Sequence, residues 1–329
     1  MMGLILLGFN AKAVAQVETR SVVDHYSSIE FNYRDIEGIG HEQGVTRRDP
    51  SDVIKVGDLY YVYYTKVYGR SPGYWGTVWY ATSTDKGNTW KEEGEILAAG
   101  KEGAFDSQAT FTPNIIYANG YYYLYYTGVK PTPGNEENEF ENNHTTDITA
   151  IGVAKSELPG GPFKRTGKGP LLTVSIEPEK FDSYRVDDAS LLFRNGLFWL
   201  YYKGRSRTHG KTGPRHTKMG VAYSKSPEGP FIKFDSPLLE DSHEVIIWPE
   251  STGVAALASI SSTIEYAENG VDFKSNRTQI RVENRPNAPG TYRPDLVQPV
   301  VIGEGLTWGI GMVHNESESY LIRFEVRSK

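Results

Sequence analysis

A pair of segments that returns along the chain constrains the fold more than any other feature. The first is a short apolar stretch, a turn with glycine, then a dense aromatic stretch. It reads DPSDVIKVGDLYYVYYTKV from Asp49, TPNIIYANGYYYLYYTGV from Thr112 and DDASLLFRNGLFWLYYKGR from Asp187. The second follows each time, as GTVWYATSTDKGNTWKEEGEIL from Gly76, AIGVAKSELPGGPFKRTGKGPLL from Ala150 and MGVAYSKSPEGPFIKFDSPLL from Met219. A weaker copy of it, SSTIEYAENGVDFKSNRTQI, starts at Ser261. Each unit offers four strands, the last opening on an aromatic after a turn: Trp90, Phe163, Phe231 or Phe273. Turns such as DKGNTW and SPEGPF suit hairpins that need glycine at positive φ. Long helical periodicity is absent beyond about residue 40. Four-stranded units recurring every ~45–75 residues predict an all-β chain folded as a β-propeller.

Five blades are expected. Four start near Asp49, Thr112, Asp187 and His243, and the fifth is built from 293–315 and 319–328. An N-terminal strand such as SIEFNY (Ser28 to Tyr33) would complete the last blade and close the ring. Residues 17–40 are then an N-terminal arm, and 41–329 a single propeller domain. One blade cannot bury both faces, so aromatics packed between blades account for most of the 22 tyrosines. The 34 glycines fit the turns, and the chain has no cysteine. That excludes disulfides, thiolate metal sites and thiol catalysis. With 35 Lys+Arg against 41 Asp+Glu the net charge is −6, which gives no reason to bind nucleic acid.

Residues 1–16, MMGLILLGFNAKAVAQ, combine an apolar run with the small-residue pattern Ala13-Val14-Ala15. This is similar to a secretory signal, though no Lys or Arg precedes the apolar run. The expected location is periplasmic or secreted. No later stretch has the ~18 apolar residues of a membrane span.

In a propeller the heads of the innermost strands converge on one mouth. Those positions hold Arg47-Arg48-Asp49, Asp106-Ser107-Gln108, Arg185-Val186-Asp187-Asp188, Ser242-His243-Glu244 and Arg293-Pro294-Asp295. Aligning Tyr63-Tyr64 with Tyr201-Tyr202 puts Asp49 on Asp187, and Glu244 arrives from a third blade. A slip of one residue would put Asp188 there instead. Carboxylates beside arginines around a funnel suit glycoside hydrolysis, where one group takes a proton from water and another protonates the leaving oxygen. An Asp before a strand also caps turns, so each acid has a structural reading as well. His243 titrates near neutrality and could act as an acid. Arg48, Gln108 and Asp188 at strand heads, Arg215 in the basic stretch GPRHTK, and the aromatics Trp75 and Trp248 form the expected substrate contacts. Clustered carboxylates could hold a divalent cation through water, but no cofactor is required. The polar stretch KPTPGNEENEFENNHTTD is a long surface loop.

From about residue 20 the chain resembles glycoside hydrolase family 117, the α-1,3-(3,6-anhydro-L-galactosidases). The stretches carrying this are RRDPSDVIKVGDLYYVYYTKV, GYWGTVWYATSTDKGNTWKEEG, AFDSQATFTPNIIYANGYYYLYYTGV, YRVDDASLLF and SHEVIIWP. The resemblance implies a five-bladed propeller that removes 3,6-anhydro-L-galactose, with inversion, from the nonreducing end of agar-derived neoagaro-oligosaccharides. It implies Asp49 as general base, His243 as general acid, Asp187 as the acid tuning pKa values, and Glu244 as an essential carboxylate. It also implies dimers built through N-terminal segments, for which this arm is short. Another five-bladed glycosidase, of arabinanase or xylosidase type, is the first alternative. A noncatalytic carbohydrate-binding propeller is the second, and a scaffold without affinity for sugars a third.

Overall fold

The computed structural model describes residues 26, 29–69, 75–130, 148–167, 169–273, 279–282, 284–298, 303–314 and 318–328. The signal-like residues 1–16, Tyr74 and most of the long polar loop lie outside them. Five antiparallel sheets form a five-bladed β-propeller. Blade one holds β2 (Val45–Arg48), β3 (Ile54–Val56), β4 (Leu59–Tyr68), β5 (Thr77–Ser83) and β6 (Lys91–Leu97). Blade two holds β7 (Ala109–Ala118), β8 (Tyr121–Lys130), β9 (Ile148–Ser156) and β10 (Lys164–Arg165). Blade three holds β11 (Arg185–Arg194), β12 (Leu197–Arg205), β13 (Lys218–Ser224) and β14 (Ile232–Lys233). Blade four holds β15 (Val245–Ser251), β16 (Gly253–Ala258), β17 (Thr263–Ala267) and β18 (Gln279–Arg281), with β20 (Gly303–Glu304) beside β15.

Blade five joins the two ends of the chain. Its strands are β19 (Asn287–Thr291), β21 (Trp308–His314), β22 (Ser319–Ser328) and, from the N-terminus, β1 (Ile29–Asp35). β1 pairs with β22 from Ile29↔Ser328 to Asp35↔Ile322. The later part of the expected arm is therefore the outer strand of a blade. The inner strand of this blade lies ahead of Arg293, not after it. Arg293 is buried in the axis beneath the mouth, donating to the carbonyls of Ile247 (2.7 Å) and Leu191 (3.0 Å) and to Asp295, with Asp52 Oδ2 at 3.5 Å. Its placement at the mouth is corrected: Asn287 to Thr291, the inner strand of this blade, shares only its X-Pro step with the inner strands of blades one and two.

The paired tyrosines do two separate jobs. The first of each pair donates to a backbone carbonyl of the next blade: Tyr63 to Pro159 (2.6 Å), Tyr125 to Pro227 (2.5 Å) and Tyr201 to Gly270 (2.8 Å). The second donates to a carboxylate that a cation also holds. Tyr64 meets Glu92 with Arg47 and Lys66, Tyr126 meets Asp106 with Arg165, and Tyr202 meets Asp182 with Lys233. Asp106, expected at the mouth, is instead one of these buried anchors. Before it stands Phe105, and before Asp182 stands Phe181. Each ring lies where a Cβ would fall on two neighbouring strands, at Gly128 and Gly152 (2.5 and 2.4 Å) and at Gly204 and Gly220 (2.6 and 2.5 Å). The aromatic excess is thus consumed in packing between and under blades.

Candidate active site

Four inner strands share one local distortion. Asp49, Thr112, Asp188 and Ala288 have φ of 50°, 44°, 52° and 38°, in blades one, two, three and five. Positive φ is costly for residues with a Cβ, and such residues cluster at functional sites. Pro50, Pro113, Ala189 and Pro289 follow them, and all eight residues line one funnel at the head of the axis. Blade four contributes Glu244 and Val245 to the same wall. In these four blades the bulge brings one residue into the funnel wall, so the funnel's chemistry is set by which residue each carries there.

The repeated bulge corrects the register of the acids. Arg48 pairs with Thr65, and Asp187 with Lys203; Ser51 N donates to Tyr63 O, as Ser190 pairs with Tyr201. Asp49 is therefore the counterpart of Asp188, and Arg48 that of Asp187. Blade one carries one extra residue between Ser51 and Ile54, where its inner strand breaks. Counting back from the tyrosines without that residue lands on Asp187. Asp187 has no exposed surface and lies behind the wall, while Asp188 lines the funnel. The extra stretch has its own role. Asp52 forms the funnel floor, accepting from Thr291 N (2.9 Å) in blade five and Asn114 Nδ2 (3.1 Å) in blade two.

The two equivalent aspartates have opposite surroundings. Asp49 Oδ2 accepts from Arg48 Nε at 2.9 Å. Asp188 has Asp187 where Asp49 has that arginine. Burial pushes the Asp188 carboxyl up to about 7; Lys203 opposes the rise, and Asp187 and Asp49 add to it. Lys203 Nζ sits 2.6 Å from Asp188 Oδ2 and 3.4 Å from Asp187 Oδ1. It is buried and joins the lining of the funnel. Environment thus divides two carboxylates that sequence repetition makes alike.

Across from them, His243 and Glu244 are held by their backbone. Both N–H groups donate to Ser259 Oγ, at 2.8 and 3.0 Å. His243 Nδ1 lies 3.2 Å from the carbonyl oxygen of Pro214. Thr217 Oγ1 lies 3.4 Å from the same nitrogen; in the tautomer that donates from Nδ1 to the carbonyl, Nε2 is the nitrogen that can exchange a proton. Burial works against the Glu244 charge, but His243, Arg285, Ser259 and Lys203 outweigh it and hold the carboxyl below its usual range. Arg285 Nη1 is 4.0 Å from Glu244 Oε2.

The remaining expected contacts fall in different places. Arg48 lines the funnel. Arg215 is exposed at the end of the 3-10 helix Arg207–His216, next to the Pro214 that holds His243. Gln108 precedes β7, its N–H on Val129 O (2.9 Å). Trp75 packs against Ala109, Phe111 and Val129, and Phe111 is itself in the funnel wall. Trp248 is a correction. It is 1% exposed, lies within blade four's strand, and its Nε1 donates to Tyr26 Oη (2.8 Å) and Glu250 Oε2 (3.1 Å). It anchors the N-terminal segment, because its strand position faces the neighbouring blade and not the axis. Lys203, Arg285, Thr112, Met312 and His314 were not expected at the funnel. Lys203 had a signal: it stands after a Tyr pair where Thr65 and Thr127 stand in the other copies. Arg285 belongs to no repeat. Among the described residues no group of three or more His, Asp or Glu is arranged to hold a metal ion.

Comparisons with known proteins agree with this geometry. The profile of glycosyl hydrolases family 43 matches residues 44–190, which carry both bulged aspartates. Over the whole propeller the chain is similar to Zg3597, a family 117 glycoside hydrolase produced by the marine bacterium Zobellia galactanivorans. The two share 27% identity with a TM-score of 0.78, over 92% of this chain and 91% of that one. The chain carries the propeller of a glycoside hydrolase. A curated relative, arabinan endo-1,5-alpha-L-arabinosidase B of Emericella nidulans, is 36% identical over 158 residues. That match spans 47% of this chain and about a third (33%) of the relative's length. The endo-arabinase of Bacteroides thetaiotaomicron, at 12% identity and a TM-score of 0.52 over 90% of this chain, shares the fold. Within this glycosidase-type propeller, the mouth where the bulges converge is the candidate active site. Among the described residues no helix is long and apolar enough to cross a membrane.

Proposed function

We propose that the funnel hydrolyses a terminal glycosidic bond with inversion, releasing 3,6-anhydro-L-galactose from the nonreducing end of neoagarobiose and neoagaro-oligosaccharides. The observation that supports hydrolysis most is the split of the two equivalent aspartates around a histidine–glutamate pair. Asp49, paired with Arg48, accepts a proton from water as its oxygen attacks the anomeric carbon. His243 Nε2 gives its proton to the glycosidic oxygen as the carbon–oxygen bond breaks, leaving the sugar and the shortened alcohol. Glu244 supplies negative charge around a transition state with oxocarbenium character, and Asp188 adds to it only in its ionised form, above about pH 7. The substrate itself is inferred from the family 117 resemblance and from the similarity to Zg3597 over nearly the whole chain.

An arabinan-type reading has two observations in its favour, the family 43 match over 44–190 and the 36% identity over 158 residues to an arabinan endo-1,5-alpha-L-arabinosidase. Glu244 would then be the proton donor. The charges around Glu244 count against that, because a carboxyl held below its usual range has no proton to give near neutrality. Product analysis separates the two. Incubation with neoagarobiose is expected to yield anhydrogalactose and galactose. Turnover of aryl arabinosides or arabinan alone would reject the agar reading while keeping a glycosidase. Binding of neoagarobiose with turnover no faster than that of Asp49→Asn would make the funnel a lectin site.

A further inference from the structure

At the end of the propeller away from the funnel, a cavity of about 580 Å³ opens between the first and last blades. Ala288 of β19 lines the funnel, and Tyr292, four residues on, lines this cavity, so the two are separated by ~13 Å of strand. The floor is the part-exposed Tyr292, backed by the buried Tyr60 and Trp308. Tyr292 and Trp308 stack with centroids 5.3 Å apart, and Tyr60 meets both edge-on at 5.7 and 5.6 Å. The turn residue Gly87, at φ +78°, lets the Trp308 ring come so close that a Cβ there would meet it at 2.8 Å. Arg323 lies over Trp308 at 4.8 Å and is fixed by Glu325 (2.5 Å) and the Lys86 carbonyl (2.9 Å).

The rim is positive in a chain of net charge −6. Lys55 Nζ stands 5.3 Å above the Tyr60 ring. Lys86 is exposed on the opposite side. Neither ammonium has a carboxylate partner among the described residues, whereas the buried Lys66, Lys203 and Arg293 each have one. Thr307 adds an exposed hydroxyl. The size falls within the ~300–1,000 Å³ of small-ligand sites. Two ammonium groups without a carboxylate beside the part-exposed Tyr292 ring suit a ligand with oxyanions on a ring bearing C–H faces.

We propose that this cavity is a second, noncatalytic binding site for an oligosaccharide carrying sulfate or carboxylate groups. It would hold a charged saccharide against the face opposite the funnel. It does not depend on the reaction assigned to the funnel.

Binding of four probes to the full chain, followed by calorimetry, tests it: a sulfated galactan hexasaccharide, its desulfated form, a polyuronate hexasaccharide and sodium sulfate. One or both anionic sugars are expected to bind at least tenfold more tightly than the desulfated sugar, and the stronger of the two identifies the oxyanion. Raising salt from about 0.1 to about 1 M should weaken that binding, because the screening length falls from ~10 to ~3 Å. The double variant Lys55→Ala/Lys86→Ala should lose at least tenfold in affinity while keeping its melting temperature and its turnover at the funnel. Equal binding of charged and neutral sugars would overturn the proposal. So would unchanged affinity in the double variant, or sodium sulfate binding as tightly as the sugars, which would leave only an ion site.

Discussion

Asp188 keeps a carboxyl where burial opposes its charge, and this has a consequence for stability. Its value in the folded chain is about 7, against ~3.9 when unfolded. Between those values the folded state holds a proton that the unfolded state has lost, so this group's contribution falls as pH rises from ~4 to ~7. Asp188→Asn removes that loss. Urea unfolding should show the variant gaining on the wild type between about pH 4 and pH 8, while its hydrolysis falls. A stability difference that does not change with pH would contradict this assignment. Lys203→Met takes away the cation that opposes the rise. The acid limb of kcat/KM should then move to higher pH, and Lys203→Arg should restore it in part; a simple packing defect would lower kcat without moving the limb. At this scale the sequence was legible where a repeat put a rare residue at a strand head, as with Asp49, His243 and Glu244. It misled where one extra residue near Asp52 shifted the register, and where Trp248 had a place in a strand that its neighbours in sequence do not reveal.

The blade is held by elements that each repeat rebuilds. Tyr63→Phe deletes the bond to Pro159 O and should cost about 1 kcal/mol, read from denaturant midpoints. Gly204→Ala forces a Cβ to 2.6 Å from the Phe181 ring and should cost about 1–3 kcal/mol. Phe181→Leu in the same chain should return part of that loss, since it withdraws the clashing atoms. Glu92 gives an acid-side prediction. Burial disfavours its charge, but Arg47, Lys66 and Tyr64 outweigh that and lower it to about 2. Its stabilisation is complete above ~4.5 and disappears as pH falls toward 2, so Glu92→Gln should flatten that limb of the stability profile. The Tyr-Tyr strands and glycine turns were readable because their spacing repeats. The buried carboxylates under them were not, since Glu92, Asp106 and Asp182 reach the same place from different strands and loops.

For the whole molecule the decisive element is the outermost strand of the last blade. β1 is far in sequence from its partner and pairs with it along its full length. Phe31 packs on Phe324, and Tyr26 on Trp248, so the N-terminal segment joins blades four and five. Removing 29–35 would leave β22 as an exposed edge and should cost more than about 3 kcal/mol, with loss of a single cooperative transition. Hydrolysis should fail with it, although none of those residues lines the funnel. Ring closure was foreseeable from the unfinished count of strands; the placement of the fifth inner strand was not, because Asn287 to Thr291 lacks the aromatic hairpin that marks blades one to three.

In the proposed hydrolysis Asp49 acts as base and His243 as acid, delivering anhydrogalactose with inverted configuration. Proton NMR of neoagarobiose in the first minutes of reaction tests it most directly. Galactose and the inverted anomer of anhydrogalactose are expected to appear first. Asp49→Asn and His243→Ala are each expected to slow the reaction by about 10²–10⁴-fold. Retained configuration, or turnover undiminished in either variant, would contradict it.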